Sequence, residues 1–326
     1  MVVATSAETV LRLDAPRAVE TIEAYIREVR TAAYPGGIMM GLSGGLDSAL
    51  LSTLVVRALG KDLLHVCFLR ERHNEADSLR KSRLMADWLG VELEVEDITD
   101  AIGERGLYSP LVMRLIGLSR FLNRAVMHKV HHLLAGETPF MTTLRQEKFH
   151  RQPLRRFLHD RTSGKVERAF NGRQIYRREW IDRRAKEHGA LPLGAGNRSE
   201  VLTGWFVQNG VDDFPFSPIA GLYKAQVRQL SRHLGIPAEI IDQAPSPDMM
   251  PGITDEVALG LDYDRIDLVL DAIERSRPNE ELLAAGLTQR QIDLVAEMAR
   301  RSAWKRNPNH PAPPVNGGIH GGFRAT

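Results

Sequence analysis

Cysteine is nearly absent. Cys67 is the single one in 326 residues, so no internal disulfide can form, and its place in the apolar run Leu63–Leu69 reads as a buried small hydrophobe. No apolar run is long enough to span a bilayer. The first residues, Met1 to Glu8, lack the basic and apolar regions of a secretion signal, and cytoplasmic residence is the expectation. Charge of one sign is scarce as well: 43 Lys and Arg against 41 Asp and Glu leave a net charge of +2, which neither requires nor excludes nucleic acid. Two common nucleotide signatures are missing, the Gly-x-x-x-x-Gly-Lys-Ser/Thr loop and a helix-opening Gly-x-Gly-x-x-Gly. His128, His131 and His132 could share a helix face, but no cysteine or carboxylate completes a metal-ligand set with them. There is no internal repeat and no clear linker. With 43% hydrophobic and 26% charged residues the composition is that of an ordinary soluble protein, large enough for one α/β domain with a substantial core or for two small ones.

Against these absences stands one dense signal. The apolar run Ile38–Leu42 ends in Ser43-Gly44-Gly45-Leu46-Asp47-Ser48, and a helix-compatible stretch follows. Glycines at a strand-to-helix turn let a ligand approach the backbone closely and permit unusual backbone angles. The free N–H groups opening the helix then face an anion, with the Ser43 and Ser48 hydroxyls as further donors. A carboxylate such as Asp47 beside phosphate is repulsive unless a cation lies between them, and magnesium held by oxygen ligands is the usual solution.

The pattern around this turn predicts alternating elements. Asp14-Ala15-Pro16 opens a helix with Val19, Ile22, Ile26 and Val29 on one face. Strands are expected at 37–41, 63–69, 91–95 and 190–194. Helices are expected at 46–59, at 74–89 with Leu84, Met85, Trp88 and Leu89 inward, from Arg198, and at 223–234. Thr288 and Gln291 form a capping box for a last helix. Such alternation implies a doubly wound parallel sheet, with the ligand beyond the carboxyl ends of the strands. From about 102 to 184 the pattern breaks. Leu111–Leu122 suggests a helix, and Arg145, Lys148, Arg151, Arg155, Arg156 and Arg161 crowd the stretch. It reads as a helical insertion with a basic, solvated surface, without the interleaved aromatics that nucleic-acid bases stack on. The chain is therefore expected to be a single domain over 1–306 carrying this insertion, followed by a flexible Pro- and Gly-rich tail over 307–326.

Taken alone, Ser-Gly-Gly-x-Asp-Ser resembles the PP-loop of the ATP pyrophosphatases, which cleave ATP between its α and β phosphates. Three later strings narrow this: Gly194-Ala195-Gly196-Asn197-Arg198-Ser199-Glu200, then Leu222-Tyr223-Lys224 running to Val227, then the irregular loop from Ala244-Pro245-Ser246 to Asp255-Glu256, followed by Leu259-Gly260 and Tyr263. In this order they resemble the NAD synthase family, over roughly 16–314 apart from the basic stretch. The resemblance implies an adenine-nucleotide α-hydrolase-like fold and an amide-forming reaction. A carboxylate, that of deamido-NAD in the family, attacks the α phosphate of ATP; pyrophosphate leaves, and ammonia then displaces AMP. Carried over residue by residue, Ser43, Gly44, Gly45, Asp47 and Ser48 hold ATP, Asp47 and Glu200 hold Mg²⁺, and Lys224 and Ser246 contact the ATP phosphates, with Asp47 and Lys224 serving catalysis. Asn171, Arg177 and Lys305 match positions that bind the acceptor substrate. A homodimer is implied. About thirty-five residues precede the first strand, so ammonia is expected to come free or from a separate glutaminase.

Departures from the family pattern gather on the acceptor side. Ile175 stands for an arginine that contacts deamido-NAD, Gln208 for a lysine, Val211 for an aspartate and Trp304 for a histidine, while Ala195 replaces a threonine of the second glycine turn. A paralogue using the same adenylation chemistry on another carboxylate therefore stands beside the default acceptor, deamido-NAD. A nucleotide-binding regulator without catalysis fits less well, since binding alone would not need two metal carboxylates.

Overall fold

In a computed structural model, residues 7–108, 139–144, 163–249, 253–306 and 312–315 are described. The predicted Leu111–Leu122 helix, the three clustered histidines and the arginines between 145 and 161 lie outside these residues. Four strands, β1 (Ile38–Gly41), β2 (Leu64–Arg70), β3 (Leu93–Asp97) and β4 (Leu191–Pro192), form one parallel sheet in the order β3-β2-β1-β4. The helices that matter below are α1 (Ala15–Val29), α2 (Leu46–Leu59), α3 (Ser78–Leu89), α4 (Ser163–His188), α5 (Arg198–Thr203), α6 (Lys224–His233), α7 (Asp255–Leu259), α8 (Tyr263–Glu274) and α9 (Gln289–Arg301).

Parallel strands must be covered on both faces, and this explains why β1 is apolar without alternation. Ile38 and Met40 pack with Leu64 and Val66 against α1, α2, α3 and α6. Met39, Cys67 and Leu69 point the other way, onto Trp180, Ile181 and Ala185 of α4. Cys67 is the buried small hydrophobe expected, and burial raises its thiol pKa far above the ordinary range. A second apolar cluster joins α8 and α9 to Leu202 and Tyr223, so the helices following the sheet are packed onto the segments that bear Glu200 and Lys224.

Several boundaries differ from the sequence pattern for identifiable reasons. The helix expected from Asn74 starts at Ser78, because the preceding residues serve a loop contact. Asn74 Oδ1 accepts from Glu71 N (2.6 Å), while Asn74 Nδ2, Glu75 N and Ser78 Oγ all donate to the Asp248 carboxylate (2.6–2.8 Å). Trp88, placed inward by periodicity, is 43% exposed; Ser82, Met85 and Ala86 make the buried face instead. β3 begins at Leu93 rather than Val91 and is exposed from Val95 onward, as befits a sheet edge. Thr288 and Gln291 do form the reciprocal capping box. Within the Pro- and Gly-rich tail, Val315 packs against the first core cluster.

The strand order fixes where a ligand can sit. From β1 the chain crosses through α2 to β2 on one side, whereas β4 joins the other edge of β1. The connections diverge there, opening a crevice beyond the carboxyl ends of β1 and β4. Gly44 closes the turn at this point with φ +79°, and an added Cβ would lie 2.6 Å from the Ser78 carbonyl oxygen. Gly44→Ala should therefore strain both the backbone and the α2–α3 contact, at a cost of about 1–3 kcal/mol. Thermal denaturation of the variant checks this; an unchanged midpoint would contradict the assigned turn.

Candidate active site

After β1, Leu42 N still donates to Cys67 O (2.8 Å), and the chain then leaves the sheet. Ser43 and Ser48 stitch the turn: Ser43 N donates to Ser48 Oγ (3.2 Å), the two hydroxyls lie 3.1 Å apart, Gly45 N donates to Ser43 Oγ (3.2 Å) and Ser48 Oγ donates to Gly45 O (3.0 Å). Gly45 is the N-cap of α2, with no side-chain cap. The first turn of a fourteen-residue helix thus opens on the crevice with its amide dipole uncapped by a side chain, a ready anion site. Asp47 lies in that first turn.

The second glycine turn follows β4 and is closed by Asn197. Asn197 Oδ1 accepts from Glu200 N (3.0 Å), and Glu200 Oε2 accepts from Asn197 N (3.2 Å), the reciprocal capping of α5. The same Asn197 donates through Nδ2 to Asp47 Oδ1 (2.9 Å). One asparagine therefore sets both carboxylates predicted to hold metal. The Asn-x-x-Glu spacing is that of a capping box, a local signal that the sequence reading passed over; the contact with Asp47 has no local signal.

Lys224 completes the group. Its Nζ hydrogen-bonds Asp47 Oδ2 and lies 3.6 Å from Glu200 Oε1, with the lysine side chain 4% exposed. Its backbone is fixed from below. Lys224 N donates to Ser199 Oγ (2.9 Å), Ser199 Oγ donates to the Asp267 carboxylate, and Ala225 N donates to Asp267 Oδ2 (2.8 Å). Asp267, in the middle of α8, thereby sets the spacing between the starts of α5 and α6, and so between Glu200 and Lys224. Asp212 and Asp255 add two further carboxylates to the field of Asp47, and Asp255 accepts from Tyr263 OH (3.1 Å). Burial and the neighbouring Asp47 raise Glu200 well above the carboxylate range and Asp212 to about 6; burial raises Asp255 to about 6, against the pull of Lys224 and Tyr263. Burial pulls the Lys224 ammonium down, but Asp47 and Glu200 outweigh it and keep it charged. One ammonium thus stands among four carboxylates, and the group is short of positive charge.

The other predicted residues fall into two places. Ser246 accepts from Asp248 N (3.2 Å) in a loop pinned to the start of α3 through the Asp248 carboxylate. Asp248 adopts φ +50° there, a cost for a non-glycine residue that its three side-chain partners offset. Arg177 lies on α4 with Nη2 3.6 Å from Glu71, and its Nε and Nη2 are buried without a hydrogen-bond partner. One turn earlier Arg173, which the sequence did not single out, is fully buried on the same Glu71 (2.8 Å) and donates to Met249 O (3.3 Å). Asn171 is half-buried on the same helix. Lys305 directs Nζ to the carbonyls of Gly204 and Phe206, where it caps the end of α5, and Gln208 Nε2 donates to Lys305 O (3.3 Å). Trp304 donates to Leu144 O (3.2 Å), and Val211 packs into the core beneath α4.

The donor set suits a hard cation. Asp47 and Glu200 already share one cation, the ammonium, and among the described residues no cluster of three or more ligating side chains exists. Two carboxylates with the remaining positions left to water and phosphate oxygens is the habit of magnesium, not of a protein-caged metal.

A parallel α/β sheet, an uncapped glycine-rich helix start at its switch point and a carboxylate pair beside a lysine define a nucleotide-phosphate enzyme site. A profile of the family NAD synthase matches residues 18–105 and 164–309, passing over most of the basic stretch. The chain belongs to the NAD synthase family, a family of carbon–nitrogen ligases. It is 32% identical over 266 residues to an NH(3)-dependent NAD(+) synthetase of Thermotoga neapolitana, covering 81% of this chain and 85% of that protein. Against the enzyme of the same name from Methanosarcina acetivorans it is 30% identical over 305 residues, 93% of this chain and 98% of the relative. Among solved structures, an NMN synthetase from Francisella tularensis (TM-score 0.62) and an NH3-dependent NAD synthetase from Campylobacter jejuni (TM-score 0.60), each 19% identical and covering 90% of this chain and 96% of theirs, share the fold.

The Asp267 network makes a pH prediction. Burial raises Asp267 from 3.8 to about 7, against its bonds from Ser199 and Ala225 N. The folded state then keeps a proton that the unfolded chain releases near 3.8, so this group's contribution to stability falls as pH rises from about 4 to about 7. Asp267→Asn should lessen the drop in thermal midpoint between pH 4.5 and 7.5; an identical drop in wild type and variant would refute the assignment.

Proposed function

We propose that this chain is an ammonia-dependent NAD synthase that adenylates the carboxylate of deamido-NAD with ATP and amidates it with ammonia. The observation that carries the reading is the convergence of Asp47, Glu200 and Lys224 at the crevice of a NAD synthase-family chain. In the first half-reaction a carboxylate oxygen bonds to the α phosphorus and the bond to the pyrophosphate oxygen breaks. In the second, ammonia bonds to the acyl carbon, AMP leaves with the bridging oxygen and the nitrogen loses a proton. The turn at Ser43–Ser48 binds the pyrophosphate end through α2 amides. Lys224 neutralises charge gathering on the leaving group. Asp47 and Glu200 would hold Mg²⁺, whose chemistry is to offset charge on the phosphate oxygens. Ser246, on its pinned loop, adds a donor to the nucleotide, and Asn171, Arg177 and Lys305 are assigned to the acceptor side.

Similarity to NH(3)-dependent synthetases over most of the chain supports deamido-NAD over another carboxylate. The family resemblance also supports work as a homodimer in the cytoplasm, with ammonia taken free or from a separate glutaminase. No described helix is long and apolar enough to cross a membrane.

Three outcomes are expected. With deamido-NAD and ammonium, chromatography of the spent nucleotide should give AMP with release of pyrophosphate; ADP as the main product would sink the reading. Asp47→Asn should lower the rate on the order of 10²-fold or more, and near-wild-type turnover would remove Asp47 from the reaction. On the acceptor side, Arg177→Ala should raise KM for deamido-NAD with little change in KM for ATP, reflecting loss of a charge-assisted bond of roughly 1.5–3 kcal/mol. Equal effects on both substrates would move Arg177 off the acceptor.

A further inference from the structure

The site as it stands without ligand holds a cation of its own. Lys224 Nζ sits on Asp47 and 3.6 Å from Glu200, the two carboxylates assigned to metal, and its side chain is nearly sealed from water. An ammonium and a magnesium ion cannot both sit between the same carboxylates at contact distance, since two cations so placed repel strongly in a partly buried setting. Yet the carboxylates do not depend on the lysine for their placement. Asn197 holds Asp47 Oδ1, and backbone capping holds Glu200 Oε2. The backbone of the lysine is held separately, through Ser199, while its ammonium meets only the two carboxylates and, 5.3 Å away, the Tyr263 ring among the contacts described, so that rotation about its four-carbon stem can move the ammonium while the helix start stays fixed.

We propose that Lys224 is a resident counter-cation of the metal site. It occupies the Asp47–Glu200 pair in the free chain, excludes metal while nucleotide is absent, and transfers to the leaving pyrophosphate when the metal–nucleotide complex enters. The inference rests on the reading of Asp47 and Glu200 as the metal carboxylates and deepens it: metal and nucleotide bind as one unit, in that the phosphate oxygens supply the partner that lets the ammonium leave. Surrounding charge argues the same way. With Asp212 and Asp255 near, a vacated pair would attract any cation, and the lysine is what holds that attraction in check. Since apparent affinity falls with the fraction of sites that are competent, the occupied pair should bind metal weakly.

The test uses Mn²⁺ as the metal, its free concentration read by electron paramagnetic resonance, with the full chain as wild type, Lys224→Met and Lys224→Arg. Circular dichroism confirms folding, and Lys224→Gln replaces the methionine variant if that one unfolds. Without nucleotide, Lys224→Met should bind Mn²⁺ roughly tenfold or more tightly than wild type, and Lys224→Arg should stay as weak as wild type. With an ATP analogue uncleavable between its α and β phosphates, wild type should gain far more affinity for Mn²⁺ than Lys224→Met does. Equal or weaker Mn²⁺ binding by the methionine variant without nucleotide would overturn the proposal, as would wild type binding Mn²⁺ equally well with and without the analogue. Failure of all variants to bind Mn²⁺ even with the analogue would overturn the metal assignment itself, and the proposal with it.

Discussion

The contact of Lys224 with Asp47 and Glu200 is the constraint on which the site depends. Its three members come from the ends of two strands and the start of a third helix, 177 residues apart at the widest. Burying such a group costs desolvation that the attraction between its charges seldom exceeds, so it is a poor source of stability. Its worth lies in geometry. The surrounding structure spends buried polar contacts to hold it: Asn197 bridges the two carboxylates, Ser199 and Asp267 set the helix starts, and Tyr263 restrains Asp255. These supporting residues sit in α5 and α8 and are packed from behind by the cluster that includes Leu202, Tyr263, Ile266 and Val269. The second apolar cluster therefore serves the chemistry indirectly, by making the helix starts rigid.

How much of this could be read from the sequence depends on how local each signal is. The sheet, its helices and the first glycine turn were legible because each rests on a short pattern: an apolar run, a period of 3.6, two glycines before a helix. The carboxylates and the lysine were legible only through resemblance, since a Glu at N3 and a Lys at the start of a helix have local explanations. Asp267 and Arg173 were not legible. Each is a charged residue inside a helix, where the sequence pattern predicts a solvated face, and each is buried because a residue far along the chain meets it. Trp88 failed in the opposite sense: periodicity turned it inward, but α3 lies near the exposed edge strand and needs only a narrow apolar stripe.

The departures from the family pattern take on a physical shape in the fold. Gln208 donates to the Lys305 carbonyl and Trp304 to that of Leu144, and Lys305 itself holds carbonyls at the end of α5. Those contacts brace the segment carrying Glu200. Burial lowers the adjacent Arg306 guanidinium to about 10, and its contacts with the Leu202 and Ala299 carbonyls join the same brace. On the opposite side Ile175 leaves no guanidinium, but Arg173 and Arg177 both turn onto one Glu71.

That last arrangement has a consequence for the acceptor. Two guanidiniums share a single buried carboxylate, the nearby His73 is kept neutral by burial and by Arg173, and Arg177 has donors left over. The described residues thus carry two groups of opposite sign, an anionic one around Lys224 and a cationic one where Arg173 and Arg177 meet Glu71. Asp212 feels both Asp47 and Arg177, which places it at their boundary. Arg173 and Arg177 stand two residues to either side of Ile175 on the same helix, so the buried Glu71 gathers the guanidiniums that flank the position where the family pattern has a further arginine.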